Sequence, residues 1–308
     1  MSESQRSGAG GQSRLIWNAL WGEYTAQSPA RMARREGSDD CSFCADLTSG
    51  RVPENARVWI RPNDFPALLP PDGECYILMY SREHDRRFSQ LDLEETLDVV
   101  RLWQEIYERL APRYPVVMTW ETSGAEIGQT QRHPHGQTYG LSVVPELLRR
   151  EMDALRLAKE QGLLCPFCRS VAEESDGPRM VYDGAAWMGF VPGWARYPYQ
   201  VQIVARRHVS AVTGFAGDGA EARELAAFLP RLIRALDRVV EGAMPYMLAL
   251  HQLADPTFHF HIELLPVGRA PGKLKLAASS EMAWGFWLND SLPEEKAAEL
   301  RRLLDEGD

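Results

Sequence analysis

Two histidines alternate around a proline in His133-Pro134-His135-Gly136-Gln137, and a glutamine follows two residues after the second. In an extended segment residues two apart point the same way. Positions 133, 135 and 137 are therefore expected to share one face. That face would offer a metal ligand, a nucleophilic imidazole and a neutral hydrogen-bond donor. Imidazole attacks phosphorus well near neutral pH, because a useful fraction is unprotonated there. Gln137 would hold a non-bridging phosphate oxygen without supplying a proton. A buried strand with incidental polar residues is the blander reading. Three polar groups on one face of a proline- and glycine-stiffened run argue against it.

A second set of reactive residues lies around this one. Cys41, Cys44, His84, His133 and His135 recur as Cys165, Cys168, His208, His259 and His261. The first three are displaced by 124 residues and the last two by 126. Five metal-competent residues at near-constant displacement indicate an internal duplication. Each copy holds a Cys-x-x-Cys pair with histidines at matching distances, which favours metal over redox chemistry. Cys41, Cys44, His84 and His133 make a Cys2His2 set suited to tetrahedral zinc. By the repeat, Cys165, Cys168, His208 and His259 make another. Two zinc ions per chain are expected, both structural, because closed four-ligand sites leave no position for substrate.

The elements that must position these residues repeat too. Strands are expected over Glu74–Tyr80 and Tyr199–Ala205, leading to His84 and His208. Amphipathic helices follow over Leu91–Leu110 and Ala220–Val240, the second open to kinking or splitting at Pro230. Strands over Val116–Trp120 and Tyr246–Leu250 then lead into each His-x-His. The boundary is expected near residues 145–160, where Pro145 precedes a charged helical stretch. The reading is an α+β chain of two tandem domains, 1–148 and 149–308.

Bulk composition sets limits. The 308 residues are 44% hydrophobic and 25% charged, ordinary for a globular enzyme. The net charge of −9 argues against nucleic acid and anionic membranes as partners. No apolar run approaches a membrane span. Residues 1–13 are polar, lack the apolar core of a signal peptide and read as a disordered tail, so a cytoplasmic location is expected.

From Arg31 to Glu294 the chain resembles the galactose-1-phosphate uridylyltransferases, the transferase branch of the histidine-triad superfamily. In the hydrolase branches a histidine stands where Gln137 is. The resemblance implies two histidine-triad domains whose antiparallel sheets join into a half-barrel with flanking helices, and commonly a homodimer. It implies zinc at Cys41, Cys44, His84 and His133. Some relatives carry a second site of another kind, binding iron, at positions matching Glu151, His251, His259 and His261. With a second Cys-x-x-Cys present, zinc is preferred there. Glu151 then reads as a surface carboxylate, and His251 as a polar core residue or a substrate contact.

The resemblance also implies substrate contacts. Arg31 and Arg34, in Ser28-Pro29-Ala30-Arg31-Met32-Ala33-Arg34, would approach nucleotide phosphates, which suit the guanidinium fork. Asn63 and Asp64 would lie near the nucleoside. Gly128, Gln129 and Thr130 would lie in a loop around the diphosphate, where glycine permits close backbone approach. Lys275 and Glu281 fall where the family holds its sugar phosphate. Thr122, Leu276, Ser280 and Trp287 depart from the family's usual residues around nucleotide and sugar. The implied activity is transfer of UMP from UDP-glucose to galactose 1-phosphate through a nucleotidyl-histidine at His135. The alternatives are a phosphorylase moving AMP from ADP-glucose to phosphate, a histidine-triad hydrolase, and a non-catalytic zinc-bound nucleotide-binding protein. His261 is followed by Ile262-Glu263, so one chemical centre per chain is expected.

Overall fold

The computed structural model describes residues 13–33 and 41–307. Arg34 and the expected tail, apart from Ser13, lie outside them. A hairpin of β1 (Arg14–Asn18) and β2 (Glu23–Gln27) comes first, followed by the short helix α1 (Ser42–Thr48). The first half continues with β3 (Trp59–Pro62), β4 (Gly73–Met79), α2 (Leu93–Leu110), β5 (Val116–Ser123) and β6 (His135–Leu141). Helices α3 (Glu146–Glu160) and α4 (Pro166–Glu174) lead into the second half. It contains β7 (Met180–Asp183), β8 (Trp187–Phe190), β9 (Val201–Ala205), α5 (Ala220–Val240), β10 (Tyr246–His251) and β11 (His261–Pro266). A small ribbon of β12 (Gly268–Ala270) and β13 (Lys273–Leu274) precedes α6 (Ser279–Trp284) and α7 (Pro293–Asp305).

Nine strands form one antiparallel sheet in the order β3-β4-β6-β5-β10-β11-β9-β8-β7. Its two halves meet at β5 and β10, with Leu248 opposite Glu121. Outward from that joint the order is β5, β6, β4, β3 on one side and β10, β11, β9, β8 on the other. These are the same four strands of each repeat, so the duplication read from the cysteines and histidines is also a duplication of topology. The sheet is open, with β3 and β7 as its edges.

Alternation divides the sheet into two faces. Leu78, Tyr80, Val117, Leu248, Ile262 and Ile203 are buried against α2 and α5 in a core that spans both halves. Ile77, Met79, Tyr139, Met188 and Phe190 lie on the other face, which carries α1, α4 and the chemistry. Helix α2 starts two residues later than expected, because Asp92 caps it. Its carboxylate accepts from Glu95 N–H and Glu95 returns the bond to Asp92 N–H. Helix α5 matches the expected span, and Pro230 neither ends nor splits it. No helix among the described residues is long and apolar enough to cross a membrane.

Candidate active site and metal centres

Cys41 caps α1 and Cys44 lies one turn along it, so both thiols point from one helix end. His84 comes from the turn after β4, and His133 from the bend before β6. The four ligand atoms lie within 4.8 Å of one another. Sγ of Cys44 is 3.4 Å from Nδ1 of His84 and 3.5 Å from Nδ1 of His133, and Cys41 Sγ is 3.7 Å from the latter. Tetrahedral zinc, with bonds of about 2.0 to 2.3 Å, sets its ligands roughly 3.6 Å apart. Burial and the adjacent Cys41 push the Cys44 thiol up to about 11. Two thiols at that spacing resist ionising together, and a divalent cation removes the conflict. The donor set therefore fits a metal ion.

The second set repeats the arrangement. Cys168 Sγ is 3.5 Å from Nδ1 of both His208 and His259, and Cys165 Sγ is 3.6 Å from His259. In each set the buried histidine donates its other ring N–H to a main-chain carbonyl, His133 to Ser81 at 2.7 Å and His259 to Ala205 at 2.8 Å. These acceptors are themselves 124 residues apart. A carbonyl can only accept, so each bond fixes the tautomer that turns Nδ1 toward the cysteines.

The four-residue alternative at Glu151, His251, His259 and His261 is not assembled, because His259 belongs to the cysteine set. The remaining three do converge within 4.8 Å. Glu151 is not a surface carboxylate. It is half-buried and accepts from Nδ1 of His251 at 2.9 Å. Burial pulls the His251 imidazolium down, but the carboxylates of Glu151 and Glu263 outweigh it and leave the ring raised. Glu263 is held by the Gln200 amide at 2.7 Å.

His135 opens β6, and its Nδ1 donates to the carbonyl of His133 at 2.8 Å. The proton is thereby placed on Nδ1, and Nε2 is the basic nitrogen of the neutral ring. Gln137 is next on the same face, opposite Ile77 on one side and Trp120 on the other. His133 does not extend this row along the strand, because it sits in the bend before it. The same backbone geometry recurs at His261, whose Nδ1 donates to His259 O at 3.0 Å. There Phe167 stacks on the ring at 4.1 Å and His251 covers it at 4.7 Å. His261 is 0% exposed, whereas His135, tilted against Phe43 at 5.0 Å, retains 6%.

The other expected contacts are dispersed around these centres. Arg31 donates to Phe65 O at 2.9 Å and to the Tyr139 hydroxyl at 3.2 Å, which ties the N-terminal segment to β6. Asn63 accepts from Phe65 N–H at 2.9 Å. Asp64 is gripped by Arg61, which reaches both carboxylate oxygens at 2.8 Å. Gly128, at φ +93°, ends a turn in which the Gln129 side chain accepts from Gly124 N–H at 2.8 Å, and Thr130 follows half-buried. Lys275 and Glu281 pair at 3.4 Å. The Ser280 hydroxyl, nearby N–H groups and Lys275 lower the Glu281 carboxyl to about 2. Sequence reasoning missed Arg61, Tyr139 and Phe43. Strand alternation toward Asn63 and Gln137 places the first two on the reactive face, and Phe43 stands inside the first Cys-x-x-Cys.

Comparison with known proteins agrees with this arrangement. Residues 54–145 match the family model of the galactose-1-phosphate uridyl transferase N-terminal domain, and residues 141–306 match that of its C-terminal domain. The galactose-1-phosphate uridylyltransferase of Thermotoga maritima is 28% identical over 93% of this chain and 97% of its own length. That of Streptomyces lividans is 32% identical over 70% of this chain and 62% of its own length. A solved uridylyltransferase superposes with a TM-score of 0.85 at 28% identity, covering 96% of this chain and 99% of that one. An Arabidopsis thaliana ADP-glucose phosphorylase with bound ADP-glucose shares the fold, at a TM-score of 0.74 and 19% identity over 94% of this chain and 99% of that one. Eight of the sheet's nine strands repeated four and four about a joint, a histidine followed by Gly-Gln and the two family matches make this chain a transferase of the galactose-1-phosphate uridyl transferase family.

Proposed function

We propose that the enzyme transfers UMP from UDP-glucose to galactose 1-phosphate by double displacement at His135. The observation that carries this is the bond from His135 Nδ1 to His133 O, which presents Nε2 as the basic nitrogen. Nε2 attacks the α-phosphorus as the bond to the bridging oxygen breaks, and glucose 1-phosphate leaves with that electron pair. The hexose 1-phosphate oxygen then attacks the same phosphorus, and the N–P bond returns its pair to Nε2. Gln137 donates to a non-bridging oxygen through both steps. A sugar phosphate is a good leaving group, so an amide that cannot protonate it is sufficient.

Arg31 and Arg34 neutralise the diphosphate, Asn63 and Asp64 orient the nucleoside, and the Gly128-Gln129-Thr130 turn approaches the phosphates. Lys275 and Glu281 receive the sugar phosphate. Residues 1–148 form the reacting domain and 149–308 the supporting one. Each Cys2His2 set holds one zinc ion, which clamps the loops around it. The chain works as a cytoplasmic homodimer, to which the exposed Trp17, Trp21, Trp284 and Phe286 supply apolar surface.

Intact-mass spectrometry at neutral pH tests this, with the protein mixed separately with UDP-glucose and ADP-glucose. A UMP adduct that clears on adding galactose 1-phosphate is expected. An AMP adduct cleared by phosphate would move the assignment to the phosphorylase. Rapid release of free nucleotide into water would indicate a hydrolase, and no adduct from either donor would refute transfer through a histidine from these two sugars.

A further inference from the structure

The reacting strand has a polar floor on its reverse side. Gly136 lies between His135 and Gln137 and opposite Glu121 of β5. A Cβ at Gly136 would come within 2.1 Å of the Tyr80 hydroxyl. Tyr80 accepts from Trp103 Nε1 on α2 at 3.0 Å, and its own N–H holds the carbonyl of Pro134 at 3.2 Å. Glu121 is 4% exposed, and one carboxyl oxygen accepts from the hydroxyl of Tyr246 at 2.7 Å. Its other oxygen is buried and has no hydrogen-bonding partner among the described residues. Tyr246 comes from the second repeat, and everything else in the cluster from the first. A carboxyl group in an otherwise apolar core is costly, yet this one belongs to the cross-strand partner of the residue between the two candidate reacting side chains.

We propose that Glu121 is a positioning residue: with Tyr246 and Tyr80 it forms the floor beneath Gly136 that fixes the height and tilt of His135 and Gln137. The proposal rests on the transfer reading above for its kinetic consequences, but not for its structural ones. The floor works while Glu121 is un-ionised. Burial raises its carboxyl to about 8, against the pull of the Tyr246 hydroxyl. The two tyrosines facing it do not titrate in that range. Burial holds both Tyr80, from the end of β4, and Tyr246, from β10, well above the ordinary tyrosine range. Trp103 of α2 carries no titratable proton. Asp237 of α5 is engaged by Ser89, Arg87 and Met244 N–H. Above about pH 8 a charge forms beside Gly136 with no cation to meet it among the described residues, and the strand moves.

The test compares wild type with Glu121→Gln and Glu121→Ala, each checked for a cooperative thermal transition. Glu121→Gln should keep kcat at pH 7 within about twofold, since a neutral amide replaces a neutral acid. Glu121→Ala should lower kcat tenfold or more with KM little changed. Wild type should lose kcat on an alkaline limb near pH 8 that Glu121→Gln lacks. An unchanged limb in Glu121→Gln, or full kcat in Glu121→Ala, would overturn the proposal. If wild type forms no nucleotidyl adduct, the transfer reading has failed and melting temperatures decide instead. A carboxyl raised on folding contributes stability that is present below its unfolded pKa and lost as pH rises through the folded one. The melting temperature of Glu121→Gln minus that of wild type should therefore grow from about pH 5 to pH 8 and then level off. A constant difference would overturn the floor.

Discussion

His135 and His261 share a backbone geometry and differ in what covers them. Both donate Nδ1 to the carbonyl two residues back. Phe167 lies flat on His261, whereas Phe43, at the matching position of the first repeat, tilts away from stacking on His135. The two rings therefore differ in cover, His261 at 0% exposure and His135 at 6%. Replacing His135 by Ala should lower the transfer rate by roughly 10⁴-fold or more, the scale expected when a nucleophile is removed. His261→Asn, whose amide can still donate to His259, should form the nucleotidyl adduct at the wild-type stoichiometry of one per chain. Loss of the adduct in that variant, read by intact mass, would mean the second copy takes part. The candidate nucleophile and the two clusters of four cysteines and histidines were legible in the sequence because their types are rare and their spacing repeats. Glu151, Arg61 and Glu121 were not, because a carboxylate or guanidinium gains its role from partners distant in the chain. Glu151 and His251 stand 100 positions apart, and the chain between them carries no local signal of their pairing.

Short helices and turns bring the candidate metal ligands together, so a metal bound there is expected to hold elements rather than single side chains. Helix α1 is seven residues long and has no side-chain cap at its start. A helix that short is marginal by itself. Asp46 on α1 pairs with Arg61 of β3 at 3.1 Å, which gives the helix one further anchor. Cys44→Ser should remove one equivalent of metal, measured by elemental analysis, and lower the melting temperature. Cys168→Ser should do the same for the second equivalent, at α4. Finding no metal in unchelated wild-type protein would refute both. Long amphipathic elements were well marked in the sequence, with α2 and α5 placed to within two residues. The hairpin β1–β2 and the ribbon β12–β13 were not, since the hairpin is mostly exposed and buries no residue fully, and strands of two or three residues offer too few alternations to read.

At the scale of the whole molecule, the two repeats share one core. Residues of α2 and α5, one from each half, are buried in a single cluster against the joined sheet. Residues 1–148 or 149–308 expressed alone should therefore lack a cooperative thermal transition, and co-expression should restore it. Two independent transitions would show that each half closes its own core. On β6, one strand from the joint, Gly136→Ala should cost about 3 kcal/mol, as the new methyl meets the Tyr80 hydroxyl, and chemical denaturation would measure it. One ring nitrogen of each of His133, His135, His259 and His261 bonds to a main-chain carbonyl. No codon change can delete those acceptors. The orientation of these four imidazoles is thus insulated from mutation at the acceptor position. Variation in substrate preference can accumulate on such a scaffold one neutral step at a time.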